Sequence, residues 1–227
     1  MAIFITSDLH FCHNQPFLYE PRGFNSVYEM NEAIISRWNS RVSWDDDVYI
    51  LGDIMLNDNA EGLKCLRRLA GRLHIILGNH DTDARIDEYV KLNNVEEITM
   101  AARLRYRGYN FYLSHYPSLT GNYDEEKPLK ARTINLCGHR HTKNRFEDVD
   151  NGLIYHVEQD AHDCYPVLLD DVIQEIKDKI GAPAKWEAVR TMRCDNCAYS
   201  EYFCGYTDFN GDCPMYKRDP PDGGFYG

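Results

Sequence analysis

The chain has 227 residues, of which 43% are apolar, and its formal net charge is −11 at pH 7. This length suits one domain with a small appendage, and the apolar content excludes global disorder. No basic stripe is apparent, which disfavours a protein that grips nucleic acid through its phosphates. An acidic chain also repels phosphate at long range, so a phosphate site here needs local positive charge, such as bound metal ions.

Nothing in the sequence points to a membrane or to secretion. No apolar run approaches the roughly 20 residues of a membrane-spanning helix. The N-terminus lacks the positive region and long apolar stretch of a signal peptide. The sequence therefore predicts a cytoplasmic protein. Because cytosolic thiols stay reduced, the eight cysteines are expected in metal-binding or buried roles before disulfides.

The first half of the chain alternates short apolar runs with amphipathic helical patterns. The apolar runs predict buried strands at Ile3–Thr6, Val48–Leu51 and Leu73–Leu77. The helical spacings predict helices at Val27–Arg41, behind the capping box Ser26-x-x-Glu29, through Leu63, Leu66 and Leu69 up to Gly71, and at Asp83–Leu92.

The second half is dominated by strand pairs. A hairpin is predicted from Ala102–Tyr106 and Asn110–Ser114, then a buried strand at Ile134–Cys137, then a pair formed by Phe146–Asp150 and Leu153–Val157 around the turn Asn151-Gly152. A last helix is predicted at Leu169–Ile180, closed by Gly181 and Pro183. Strand–helix alternation followed by strand pairs predicts a layered α/β sandwich.

Polar side chains with metal-binding chemistry follow five of these strands. In chain order they belong to Asp8-Leu9-His10, Gly52-Asp53, Gly78-Asn79-His80-Asp81, Ser114-His115 and Gly138-His139-Arg140-His141. Ligands gather at the carboxyl edge of open α/β sheets. Carboxylates, imidazoles and an amide oxygen suit Mn, Fe, Zn or Mg. Each segment alone is an ordinary turn, but five such segments in order at strand ends predict a metal centre.

The ordered motifs Asp-x-His, Gly-Asp, Gly-Asn-His-Asp, a lone His and Gly-His-x-His resemble those of calcineurin-like metallophosphoesterases. The resemblance covers Ala2 to about Ile180 and is strongest for a small bacterial and phage branch. The stretch Asp160-Ala161-His162-Asp163 is also similar to that branch. The resemblance implies a four-layer α/β/β/α fold for a domain spanning residues 1–182.

The family pattern implies a role for each matching residue. Two divalent ions (Mn, Fe, Zn or Ni) would be bound, and a hydroxide between them would attack the phosphorus. The implied ligands are Asp8, His10 and His141 for the first ion, Asn79, His115 and His139 for the second, and Asp53 for both.

Five residues, one of which is the ligand Asn79, are expected at the substrate or directly behind it. By resemblance, His80 would act as a general acid or stabilise phosphoryl charge, with Asp81 orienting its ring. Asn79 and His13 are candidate substrate contacts. Arg140 is a third candidate, although the simpler interpretation is a solvent-exposed arginine that does not contact the substrate.

The segment 183–227 differs from the rest and holds four clustered cysteines. The spacing Cys194-x2-Cys197-x6-Cys204-x8-Cys213 favours a structural zinc site. An iron–sulfur cluster, disulfides and unbound thiols are the alternatives. A tail this short cannot bury enough surface to fold unaided, so a metal staple is physically reasonable. The tail is a candidate docking segment for a protein partner or a second subunit.

The sequence thus predicts a hydrolase of phosphomonoesters or phosphodiesters, with a nucleotide as a candidate substrate. Two alternatives remain open. One is a nuclease acting on DNA or RNA, which the acidic charge balance disfavours without excluding nucleic acid as a partner. The other is a catalytically inactive protein-binding scaffold, which loss of ligands or of His80 would indicate.

Overall fold

The computed structural model describes residues 1–118, 128–147 and 153–180. All of them belong to one compact unit, Met1–Ile180. In chain order the elements are β1 (Ile3–Thr6), α1 (Pro16–Tyr19), α2 (Val27–Asn39), β2 (Asp47–Leu51), α3 (Asn59–Leu66), β3 (Arg72–Ile76), α4 (Asp83–Tyr89), β4 (Val95–Thr99), β5 (Ala101–Tyr106), β6 (Tyr109–Ser114), β7 (Thr133–Cys137), β8 (Phe146–Glu147), β9 (Ile154–His156), β10 (Val167–Leu168) and α5 (Leu169–Ile180).

Two five-stranded sheets form the framework of a mixed α/β fold. The first has the order β10-β1-β2-β3-β4, in which β1 to β4 are parallel and β10 pairs antiparallel with β1. The second has the order β5-β6-β7-β9-β8, and its central strands β6, β7 and β9 are parallel. Parallel neighbours put their carboxyl ends at one edge, which is where the predicted ligand segments emerge.

Alternate residues of the first sheet supply two separate hydrophobic clusters. Phe4 joins a cluster with α2 and α3, whereas its neighbour Ile5 joins a second cluster with the other sheet and α5. The same division separates Ile50 from Leu51. Successive side chains of a strand point to opposite faces, so the first sheet is covered on both sides, in agreement with its nearly continuous apolar strands.

The predicted capping box of α2 is half confirmed. The Ser26 hydroxyl accepts a hydrogen bond from the Glu29 N–H at 3.1 Å. The Glu29 carboxylate, however, accepts from the Asn25 N–H at 2.9 Å instead of closing onto Ser26. The predicted start of the helix is therefore correct, but the second hydrogen bond of the capping box is made to the residue before Ser26. No helix in the described parts of the chain is long and apolar enough to cross a membrane.

Candidate metal centre

The predicted ligands leave their strands through backbone that few side chains adopt. Positive φ angles occur at five of them: Asp8, His10, Asp53, His139 and His141. This left-handed region is costly for residues other than glycine and is often found at functional sites. The loops after β1 and β2 offset this cost because their backbones stay hydrogen-bonded to each other beyond the ends of the two strands. The Asp8 N–H donates to the Gly52 carbonyl, and the His10 N–H donates to the Asp53 carbonyl, each at 3.0 Å.

The first group of ligand atoms comprises Asp8, His10 and His141. The Nε2 atoms of His10 and His141 each lie 3.6 Å from Asp8 Oδ1 and 3.1 Å from each other. Asp8 Oδ1 is buried and has no hydrogen-bond partner among the described residues. A buried carboxylate oxygen without a donor is costly, and a cation at this point would satisfy it.

The second group comprises Asp53, His115 and His139. His115 Nε2 lies 3.1 Å from His139 Nδ1 and 3.5 Å from Asp53 Oδ2. It also lies 2.9 Å from Asn79 Oδ1. The structure therefore brings together the side chains predicted for the second ion.

Asp53, a member of the second group, also faces the first group. Its Oδ2 atom is 3.6 Å from His10 Nε2 on one side and 3.5 Å from His115 Nε2 on the other. Its Oδ1 atom is already used, because it accepts the His80 N–H at 2.9 Å. One carboxylate oxygen thus faces both groups, which suits the predicted bridging position.

The proton positions in the second group favour a cation. His115 Nδ1 lies 2.8 Å from the Leu51 carbonyl oxygen, which can only accept, so Nδ1 carries the proton. In the neutral ring Nε2 is then a bare lone pair, and it faces the oxygens of Asn79 and Asp53. These converging acceptors repel one another, and a divalent ion bound among them would reverse that repulsion. The donor set of nitrogen and oxygen atoms fits Mn, Fe or Zn.

The electrostatics keep three of these ligands, Asp8, His10 and His139, in the protonation states that bind metal. Burial lowers the pKa of His10 below its usual value, despite the opposing effect of Asp8. Burial and the neighbouring His115 ring lower the pKa of His139. For His141 burial has the same effect, but the hydrogen bond to Asp160 and the charge of Asp8 outweigh it and raise the pKa above its usual value. Burial alone would raise the pKa of Asp8, but the neighbouring imidazoles of His10, His141 and His115 bring it well below its usual value. Neutral imidazoles beside an ionised carboxylate are what metal binding requires.

His80 reaches the open side of the centre. Its side chain is 40% exposed, and its Nε2 lies 3.9 Å from Asp53 Oδ2. The ring packs edge-on to His10 with a centroid separation of 5.5 Å. His80 therefore combines solvent access with proximity to the ligands, as a residue that meets substrate must.

Asp81 does not orient the His80 ring, contrary to the prediction. Its buried carboxylate accepts from the backbone N–H groups of Asp53 and Gly78, each at 2.9 Å, and from the Tyr89 hydroxyl at 2.9 Å. A third backbone donor, Ile54, lies at 3.3 Å. Asp81 thus ties the loop after β3 to the loop that carries Asp53. It acts on a ligand loop and not on the proposed acid.

The two further substrate candidates lie at different depths. The His13 ring lies 5.4 Å from that of His10, between centroids, and burial together with His10 and His80 lowers its pKa to about 4. Arg140 is 57% exposed, and its guanidinium lies 3.9 Å from Glu147. His13 therefore borders the ligand cluster, whereas Arg140 has an acidic neighbour to which it turns. Cys194, Cys197, Cys204 and Cys213 lie outside the described residues.

Sequence reasoning gave no role to Arg22 and Asp160. Asp160 Oδ2 lies 3.0 Å from His141 Nδ1 and 2.7 Å from the Arg22 guanidinium. The resemblance of Asp160–Asp163 to a family stretch was a signal for the carboxylate. Arg22 lies 138 positions from its partner, and no local pattern marks it.

Comparison with known proteins agrees with this geometry. Residues 1–157 match the family described as the calcineurin-like phosphoesterase superfamily domain. An uncharacterized protein of Methanocaldococcus jannaschii is 36% identical over 126 residues, which cover 54% of this chain. The match spans 64% of that archaeal protein, slightly less than two thirds.

Two more proteins extend the comparison. The gene 66 protein of Mycobacterium phage D29 is 31% identical over 196 residues, covering 78% of this chain and 96% of the phage protein. A solved structure of a protein of unknown function from Aquifex aeolicus is 22% identical, with a TM-score of 0.56, covering 77% of this chain and 99% of that one. That structure shares the fold. The chain belongs to the calcineurin-like phosphoesterase superfamily, a family of metal-dependent phosphoesterases.

Proposed function

We propose that this protein hydrolyses a phosphomonoester or phosphodiester at a centre of two divalent ions drawn from Mn, Fe, Zn or Ni. The observation that carries the proposal is the pair of ligand groups with Asp53 Oδ2 about equally distant from both, at 3.6 and 3.5 Å from the nearest histidine nitrogens. Family membership supports the reaction class. The four-layer arrangement implied by the resemblance remains part of the proposal.

The chain's own residues divide the work. Asp8, His10 and His141 would hold one ion, Asn79, His115 and His139 the other, and Asp53 both. When bound, two such ions supply a water of lowered pKa as nucleophile and clamp the oxygens of the ester. Asp81 would hold the Asp53 backbone in place, because its carboxylate accepts the Asp53 N–H.

His80 is the proposed proton donor to the leaving oxygen. Its ring is exposed enough to meet an ester, while its backbone N–H is fixed on Asp53 Oδ1 at 2.9 Å. A positioned imidazole can hold a proton at Nε2 for the departing oxygen, or stabilise phosphoryl charge if the leaving group needs no proton. His13, which borders the same cluster, is a candidate substrate contact, as is Asn79.

Two alternatives have different requirements. A nuclease needs a basic groove, and the net charge of −11 opposes one. An inactive scaffold has no use for an exposed imidazole beside the ligands, so His80 argues for an enzyme. Docking of a partner by the tail, a structural zinc there and a cytoplasmic location stay predictions from the sequence.

The test is reconstitution of the purified protein with Mn, Zn, Fe or Ni, followed by assay of phosphomonoesters, phosphodiesters, cyclic nucleotides and oligonucleotides. Metal content is measured in the same samples. Asp53→Asn should lose both ions and all metal-dependent turnover, because its oxygen serves both groups. Asp178→Asn, at an exposed position of α5, is the control and should match the parent. An Asp53→Asn protein with parental metal content and activity would contradict the assignment.

A further inference from the structure

Arg22 is a charged side chain buried where no substrate can reach it. Its side chain is 1% exposed. It forms a two-pronged contact with Asp160, with Nε 3.1 Å from Oδ1 and a terminal nitrogen 2.7 Å from Oδ2. Removing two charges from water costs several kcal/mol per ion before their attraction offsets it. A buried ion pair of this kind contributes little to stability. Its other hydrogen bonds show which parts of the molecule it holds in place.

The guanidinium reaches the loop that carries the first ligands. One terminal nitrogen donates to the Asp8 carbonyl at 2.9 Å, and the other lies 3.4 Å from the Leu9 carbonyl. These carbonyls belong to the backbone between Asp8 and His10, where both ligands adopt positive φ. Arg22 therefore fixes the backbone conformation that aims these two side chains.

The carboxylate of Asp160 controls the third ligand of the same group. Its Oδ2 accepts from His141 Nδ1 at 3.0 Å. That bond places the ring proton on Nδ1 and leaves the Nε2 lone pair facing Asp8 Oδ1 and His10 Nε2. The His141 side chain is 35% exposed, so without this bond its ring is free to turn towards solvent.

The second group has separate supports. His115 is held by the Leu51 carbonyl, and the Asp53 backbone is held by Asp81. Neither contact involves Arg22 or Asp160. The arginine–aspartate pair therefore bonds directly to the Asp8–Leu9 backbone, which leads into His10, and to the His141 ring. It bonds directly to no ligand exclusive to the second group, to which the Asp8 carboxylate is linked through the His139 N–H.

We infer that Arg22 and Asp160 are positioning residues that set the affinity of the first metal site selectively. The inference rests on the proposed function, since it assumes that Asp8, His10 and His141 bind an ion. Residues that orient metal ligands typically change metal affinity by roughly 10–100-fold when substituted. Loss of the pair should therefore convert a two-ion centre into a one-ion centre at limiting metal.

The experiment uses the full chain with Asp160→Asn and Arg22→Lys. Asparagine is nearly isosteric but presents an N–H₂ group to either Arg22 or His141. Lysine keeps the charge but cannot form the two-pronged contact. Arg68→Lys is the matched control, because Arg68 makes a similar contact with Glu32, at 2.6 and 2.8 Å, on an exposed surface.

Mn²⁺ binding is measured by equilibrium dialysis with metal analysis, and the electron paramagnetic resonance spectrum reports whether the Mn²⁺ ions are coupled as a pair. The two variants should lose roughly 10–100-fold in affinity for one ion only, and the paired spectrum should become that of an isolated ion. Arg68→Lys should keep both. A merely structural role would lower the thermal stability of the metal-free protein without separating the two affinities.

Three outcomes are informative. Selective loss of one ion supports the inference. Parental binding of two ions by both variants, or equal loss of both ions, overturns it while leaving the proposed function standing. A parent protein that binds no Mn²⁺ at these residues overturns the proposed function, and the inference with it.

Discussion

The geometry predicts that Gly138→Ala, which adds a single methyl group, has a large effect on stability and on metal binding. A Cβ at this position would lie 2.0 Å from Ser7 Oγ and 2.1 Å from Asp8 Oδ2. Both atoms are buried and engaged, because the Ser7 hydroxyl lies 2.6 Å from Asp8 Oδ2 and the same oxygen accepts the His139 N–H at 2.9 Å. The methyl group therefore cannot be accommodated by rotating a free side chain.

The magnitude follows from the displacement required. Restoring an ordinary contact moves either the Asp8 carboxylate or the 138–139 backbone by about 1 Å, and overpacking of this kind typically costs about 1–3 kcal/mol. For a chain of this size, that corresponds to a fall in Tm of about 2–12 °C. The metal sites should suffer more, since Asp8 belongs to the first group and His139 to the second, and about 1 Å of misplacement can cost 10²-fold in rate.

Thermal unfolding of the metal-free protein and Mn²⁺ binding together test this reasoning. Gly108→Ala is the control. Gly108 has a φ of +82°, and a Cβ added there would have the Lys130 side chain as its nearest neighbour, at an ordinary contact distance of 3.7 Å. It should lose some stability and keep both ions. If Gly138→Ala bound two ions with parental affinity, the contact between Gly138 and the Asp8 carboxylate would have no functional consequence.

Three further predictions concern other parts of the molecule. His80→Ala should keep fold and metal content but lower kcat by roughly 10²–10⁴-fold, with a smaller loss on nitrophenyl esters, whose leaving group needs no proton. Equal activity of parent and variant on every ester would leave His80 without a role. Burial lowers the pKa of His162 to about 4, from 6.5 in the unfolded chain, so the unfolded chain binds the extra proton between these values. Stability should therefore fall by up to about 3 kcal/mol as the pH drops from 6.5 to 4. His162→Gln should show a weaker dependence in urea unfolding at pH 7.5 and 5, and an unchanged slope would exclude this histidine as the cause. Cys197→Ser should release one metal ion and leave the other two bound, and two disulfides in a protein purified from cytosol would contradict a zinc site in the tail.

Much of the framework could be predicted because apolar runs and turns mark it locally. The bounds of β1 were predicted without error, and β7 begins one residue before the predicted strand. The strand β4 was missed because three of the five residues in its sequence, Val-Glu-Glu-Ile-Thr, are polar, as can occur in an edge strand. The two-residue strand β10 was missed because it runs directly into α5, and no periodicity is visible in so short a segment.

The same limit applies to the metal centre, where residues marked by a local pattern could be predicted and contacts between distant residues could not. Types and order of residues were enough to collect the five segments that hold the ligand candidates, because each segment follows a strand whose end the sequence predicts. The family resemblance then implied which seven of their residues bind metal. The supports behind them were not predictable in this way. Asp81 was expected to serve its sequence neighbour His80, yet its carboxylate bonds to the Asp53 backbone across 28 positions. Partners at such separations leave no spacing that a single sequence can reveal.

The division of ligands between the sheets has a thermodynamic consequence. Asp8, Asp53 and Asn79 follow strands of the first sheet, whereas His115, His139 and His141 follow strands of the second. Bound ions would therefore act as a cross-link between two halves that are otherwise joined by apolar contacts and by hydrogen bonds such as those of His115 with Leu51 and of His139 with Asp8. A ligand that binds only the folded state adds RT ln(1 + [L]/Kd) to its stability, about 2.7 kcal/mol at a hundredfold excess over Kd. Chelation should then open the seam between the sheets first, with hydrogen exchange rising in β6 and β7 before it rises in the helices.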